Sequence, residues 1–160
     1  MIIAFKHHLA NPNLASAAVR WHEDYPYTHT ELIFDRLGWV CFSSRVTDNG
    51  VYVKNYNESV SNPTHWLAYV LPVAAETEQA CFDAAAREVS KPFNFTAVLG
   101  HLWLGKEIDN SNRRFCSQVD YEILNNHAGL DLPQLKSYDV TPRVLHQMVL
   151  AKGYFPIPLP

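Results

Sequence analysis

Four apolar runs of strand length, separated by turn-forming residues, crowd residues 30–71. They constrain the chain more than any other feature. The runs cover residues 30–34, 39–43, 51–53 and 66–71. Asp35-Arg36-Leu37-Gly38 divides the first two. Asp48-Asn49-Gly50 is a strong hairpin signal, because Asn and Gly tolerate the positive φ that tight turns demand. Pro72 ends the fourth run. This spacing predicts an antiparallel meander, preceded by a short strand or extended lead-in over residues 2–5.

The remaining periodicity is helical. Asn13 is a good N-cap for a helix over residues 14–22, with Leu14, Ala17, Ala18 and Trp21 apolar. Residues 76–89 place Ala80, Cys81, Ala84, Ala85 and Val89 at helical spacing. An apolar segment over residues 95–104 is a second helix, and residues 116–127 are a third, stopped by Gly129. Thr141-Pro142 opens a last helix over residues 143–152, with Pro at the first helical position. The tail after Tyr154 carries Pro156, Pro158 and Pro160, which bars a regular helix or a central strand. The expected fold is therefore α+β: a small antiparallel sheet or half-barrel packed against helices, in one domain spanning residues 1–160.

Composition narrows the function. The chain has 160 residues, 48% hydrophobic and 18% charged, which suits a packed core rather than a disordered segment. A net charge of -3 without a basic run argues against a nucleic-acid partner. No stretch is long and apolar enough for an integral membrane segment. Met1-Ile2-Ile3-Ala4-Phe5-Lys6 lacks the features of a signal peptide, so a cytoplasmic location is expected. Cys41, Cys81 and Cys116 are an odd set without a CxxC pair, and the eight histidines lack ligand spacing. No disulfide framework, metal or other cofactor is expected.

Two residues carry the candidate chemistry. Cys116 follows a polar loop and opens a helix, where unpaired N–H groups favour a thiolate and would face a developing oxyanion. Asp120 and Glu122 near that start suit the helix dipole. His29 opens the first strand of the meander, and Glu31 lies two residues on, on the same strand face. A carboxylate beside an imidazole fixes its tautomer and supports the imidazolium. Taken alone, Cys116 also fits a small buried hydrophobe, and His29 an exposed strand-end side chain. Cys41, within an apolar strand, and Cys81, on an Ala-rich helix face, are expected in the core.

With these residues in place, the chain resembles the circularly permuted papain-fold hydrolases, the YiiX-like relatives of NlpC-type cell-wall peptidases and of lecithin–retinol acyltransferase. The resemblance rests on Thr28-His29-Thr30-Glu31-Leu32-Ile33-Phe34, Cys41-Phe42-Ser43-Ser44, Asp48-Asn49-Gly50-Val51 and Phe115-Cys116-Ser117-Gln118. It spans roughly residues 27–145, and its order is His before Cys, the reverse of papain. It implies a bacterial or bacteriophage cysteine hydrolase, a peptidase or amidase, with Cys116 as nucleophile and His29 as base. Glu31 is the expected third member and Ser43 its alternative. The implied substrate is a peptide or an acyl amide or ester, with peptidoglycan one candidate. Two departures stand out: Gln118 replaces the usual Glu, and Phe93-Asn94 replaces a Tyr-Asp pair. The competing expectations are a catalytically inactive scaffold that binds a partner, and a His/Glu metal site.

Overall fold

A computed structural model describes residues 1–10, 24–94 and 112–160. The helices expected over residues 14–22 and 95–104 lie outside the described residues. Six strands form one antiparallel sheet: β1 (Ile2–His7), β2 (Tyr27–Phe34), β3 (Val40–Arg45), β4 (Gly50–Asn55), β5 (Trp66–Val70) and β6 (Pro156–Ile157). Their order is β4-β3-β2-β1-β5-β6. The helices are α1 (Tyr56–Ser59), α2 (Ala75–Glu88), α3 (Cys116–His127) and α4 (Pro142–Ala151). The fold class is α+β, as expected.

The meander is shorter than its spacing suggested. β2, β3 and β4 follow one another, but the run at residues 66–70 pairs with β1 instead of β4. The reason lies in β1 itself. Ile2, Ile3, Ala4 and Phe5 are all buried, two on each face, which only an interior strand can satisfy. The Pro-rich tail adds β6 at the sheet edge, where a missing donor is tolerated.

Strand alternation sends apolar side chains to both faces. On one, Ile3, Phe5, Leu32, Phe34 and Phe42 pack with Val119, Leu124 and Leu145 of the helices. On the other, Ile2, Ala4, Ile33, Cys41 and Ala68 pack with Trp66, Tyr56 and Leu159. The Tyr56 hydroxyl donates to the Pro160 carbonyl at 2.9 Å and fastens the tail over this second cluster. Cys41 and Cys81 are buried, as expected.

Gly50 marks the closest backbone approach in the sheet. Its φ is +138°, and a Cβ there would lie 2.0 Å from the Lys91 carbonyl oxygen, which accepts the Val51 N–H at 2.9 Å. Gly50→Ala is expected to cost about 2 kcal/mol or more, because backbone on both sides must yield. Urea denaturation of the two proteins measures this.

His146 of α4 lies buried between two tyrosines. The Tyr25 hydroxyl bonds its Nδ1 at 2.6 Å, and the Tyr69 hydroxyl its Nε2 at 2.8 Å. Burial lowers its pKa to about 4. The unfolded chain, near pKa 6.5, then binds a proton that the folded chain refuses. Stability is complete above about pH 6.5 and falls towards pH 4, by about 1.4 kcal/mol per pH unit for such a group. His146→Gln should flatten that slope between pH 6.5 and 4, as read from urea midpoints.

Candidate functional site

The approach to Cys116 is held by backbone pairing. Phe93 bridges Arg114 in parallel, the Asn94 N–H donates to the Arg114 carbonyl at 2.9 Å, and the Arg114 N–H donates to the Pro92 carbonyl at 3.0 Å. The Ser44 hydroxyl reaches the same Arg114 carbonyl at 2.9 Å. Phe93-Asn94 therefore lies directly beside the segment that delivers Cys116.

Helix α3 begins at Cys116 itself. Its N-cap, Phe115, offers no side-chain acceptor, so the first N–H groups have no capping partner from that residue. Strands β2 and β3 pair only from Leu32 opposite Phe42 to Phe34 opposite Val40. Beyond that register the Ser43 hydroxyl donates to the Thr30 carbonyl at 2.6 Å. Cys116 meets β2 at this parting. Hydrogen bonding from the backbone N–H groups of Thr30 and Ser117 and from the Thr30 hydroxyl works to lower its pKa.

The thiol is nevertheless neutral at rest. Burial pushes it up to about 11, aided by the Asp120 carboxyl, against the opposing pull of the N–H groups. The low-pKa thiolate expected from a helix start is thus outweighed by desolvation. Asp120 does not serve the helix dipole either, since the first turn holds no acidic residue. It points inward, and its Oδ2 accepts from the Thr30 hydroxyl at 2.6 Å.

His29 and Glu31 do share a strand face, as the sequence implied, but it is the face opposite Thr30 and α3. There they join a buried polar group. The Arg45 Nε donates to His29 Nε2 at 3.0 Å, and its Nη2 donates to Glu31 Oε1 at 2.6 Å. The Tyr52 and Ser59 hydroxyls also donate to Glu31 Oε1. His29 Nε2 lies 3.8 Å from Glu31 Oε1, beyond a hydrogen bond. The guanidinium is permanently charged, so Nε2 must accept and the imidazole is neutral with its proton on Nδ1. Burial lowers its pKa to about 4, against the pull of Glu31. Burial works to raise the Glu31 pKa, yet the Arg45 guanidinium and the Ser59 hydroxyl hold it below the usual carboxylate value. The His29 ring packs edge-on against Trp66 at 6.0 Å between centroids.

The predicted site residues thus fall into two groups. Cys116 sits with Thr30 and Asp120 on the helix face. His29 and Glu31 sit with Arg45, Tyr52 and Ser59 on the other. Ser43 touches the Thr30 carbonyl and so links to the first group through the backbone. Thr30, Asp120 and Arg45 were missed by sequence reasoning, although two signals were present. Period-two alternation sets Thr30 across the strand from its neighbours His29 and Glu31, and Asp120 is four residues after Cys116 on one helix face. Among the described residues, no group of three or more His, Cys, Asp or Glu could hold a metal ion, and no helix is long and apolar enough to cross a membrane.

Comparison with solved structures finds the crystal structure of metalloprotein YiiX from Escherichia coli O157:H7, DUF1105, with a TM-score of 0.62. The fold is YiiX-like. The alignment covers 99% of this chain and 87% of that one, at 16% sequence identity. No protein-family model and no curated protein sequence matches the chain.

Among the described residues, Glu31 is the carboxylate that forms an ion pair with Arg45. Glu31→Ala should cost about 3 kcal/mol, because the guanidinium is left buried without its counter-charge. Glu31→Gln, which keeps an acceptor, should cost less. Urea midpoints at pH 7 check both.

Proposed function

We propose that the protein is a hydrolase that cleaves amide or ester bonds through a thioester on Cys116. His29 is its acid–base partner and Glu31 the carboxylate that supports the imidazole. The observation that carries this reading is the placement of Cys116 at an uncapped helix start, with the Thr30 and Ser117 N–H groups favouring its thiolate. Those are donors that stabilise a thiolate, and helix-start N–H groups of this kind also stabilise the oxyanion of acyl transfer. The YiiX-like fold and the order of His strand before Cys helix support a circularly permuted papain-like arrangement. A bacterial or phage origin, a cytoplasmic site of action and a peptide or acyl substrate, with peptidoglycan the first to try, belong to the same proposal.

In this reaction the Cys116 thiol passes its proton to His29, the thiolate attacks the carbonyl carbon and the helix-start N–H groups hold the oxyanion. Collapse breaks the bond to the leaving group, which takes a proton from His29, and water then hydrolyses the thioester. Because the resting His29 Nε2 accepts from Arg45 on the strand face opposite Cys116, catalysis requires that bond to be exchanged and the imidazole to be re-aimed when substrate binds.

A panel of aryl esters, acyl amides and peptidoglycan peptides, run on wild type and Cys116→Ala, tests the proposal. Turnover by the wild type with a trapped acyl adduct on Cys116, and a rate loss of roughly 10³-fold or more in Cys116→Ala, is the expected result. Equal rates in both proteins would refute it.

The separation of His29 from Cys116 favours a second reading, in which the fold acts as a binding scaffold without catalysis. That reading predicts no adduct on the wild type, and ligand binding that Cys116→Ala leaves unchanged.

A further inference from the structure

We infer that Cys116, Thr30 and Asp120 form one proton-sharing unit, in which Asp120 takes the thiol proton through Thr30 Oγ1. The inference rests on Cys116 being the reactive group proposed above, and it deepens that reading by naming the resting proton acceptor.

The three residues form a chain with Thr30 at its centre. Thr30 Oγ1 donates to Asp120 Oδ2 at 2.6 Å, and the same hydroxyl works to lower the Cys116 pKa. Asp120 follows Cys116 by four residues on α3, so both side chains descend on Thr30 from one helix face. Cys116 is 7% exposed, and Thr30 and Asp120 are 0%. Asp120 Oδ1 is buried with no hydrogen-bond partner, and among the described residues Thr30 is the hydrogen-bond donor to this carboxyl. A buried carboxylate with a single donor is an unusually good proton acceptor, because burial favours its neutral form. Burial holds the Asp120 carboxyl well above the usual carboxylate range, and the Glu31 charge across β2 adds to this.

The transfer balances as a two-proton shift. The S–H bond of Cys116 breaks as its proton goes to Thr30 Oγ1, and the original Thr30 O–H proton goes to Asp120 Oδ2. The carboxylate charge moves to sulfur, where Thr30 now donates to the thiolate. Asp120 acts through Thr30 and is therefore a positioning residue. His29 takes no part in this step, since its Nε2 is engaged by Arg45. Around Asp120, the relevant groups are Thr30 and Glu31 from β2 and Cys116 from α3. The carboxylates of α2 are engaged elsewhere: Glu78 by Arg36, and Glu88 by Lys91 and Arg114. On β3, Cys41 faces Glu31, and on α4, His146 is held by its two tyrosines.

The test is alkylation of Cys116 by iodoacetamide across pH 5–11, resolved by peptide mass spectrometry, which needs no substrate. Sharing one proton gives the pair two macroscopic ionisations. The wild-type log rate should rise, level off once Asp120 is ionised, and rise again as the thiol is lost outright. Asp120→Asn should show one continuous rise and react about tenfold faster or more near pH 9, since one pH unit of displaced ionisation is tenfold in thiolate. Thr30→Val, which deprives the carboxylate of its donor, should move the plateau to higher pH, while Thr30→Ser should leave it in place. Superimposable wild-type and Asp120→Asn profiles would overturn the inference. So would a uniform acceleration without change of shape, the mark of mere loosening, or a plateau that Thr30→Val does not move. A two-step profile in a protein that turns over no acyl substrate would uphold the unit and refute the hydrolase. Substrate turnover with a one-step profile would do the reverse.

Discussion

Everything near the candidate site depends on the two-residue period of β2. Thr30, Leu32 and Phe34 face the helices, and His29, Glu31 and Ile33 face away. A strand buried on both sides cannot slip by one residue without exchanging these sets, so the register is firmly held. That one constraint decides that α3 docks on Thr30, and that the imidazole one residue earlier emerges on the other side of the sheet.

Each face then solves its own problem of burying polar groups. On the His29 side the network is dense: the Glu31 carboxylate takes Arg45, Tyr52 and Ser59, and Arg45 in turn reaches His29. These bonds tie β2, β3, β4 and α1 together. On the α3 side the network is sparse. Thr30 alone serves Asp120, and Ser117 Oγ, Gln118 Oε1 and Asp120 Oδ1 are buried without partners. Sparse satisfaction of this kind costs stability.

Much of the fold was legible. The hairpin at Asp48-Asn49-Gly50, the helix from Cys116 to His127 and the Thr141-Pro142 helix start all follow local rules, since each is decided by φ preferences or by capping within a few residues. The pairing of β5 with β1 was not legible as a local rule, because it depends on which strand can fill both faces of an interior slot. The site was legible only in part. Sharing of a face by His29 and Glu31 is a local consequence of strand geometry and held. Their distance from Cys116, and the partnership of Cys116 with Thr30 and Asp120, depend on which face α3 covers.

The sequence by itself determined the element types and the presence of a cysteine at a helix start and a histidine at a strand start. These depend on periodicity and on backbone preference over a few residues. Only the tertiary structure decided which face of β2 receives the helix, and with it the state of each group. The thiol is pushed up to about 11 and the imidazole down to about 4 because desolvation outweighs the local donors and charges. Desolvation is a property of how the whole chain closes over a side chain, and no local pattern records it.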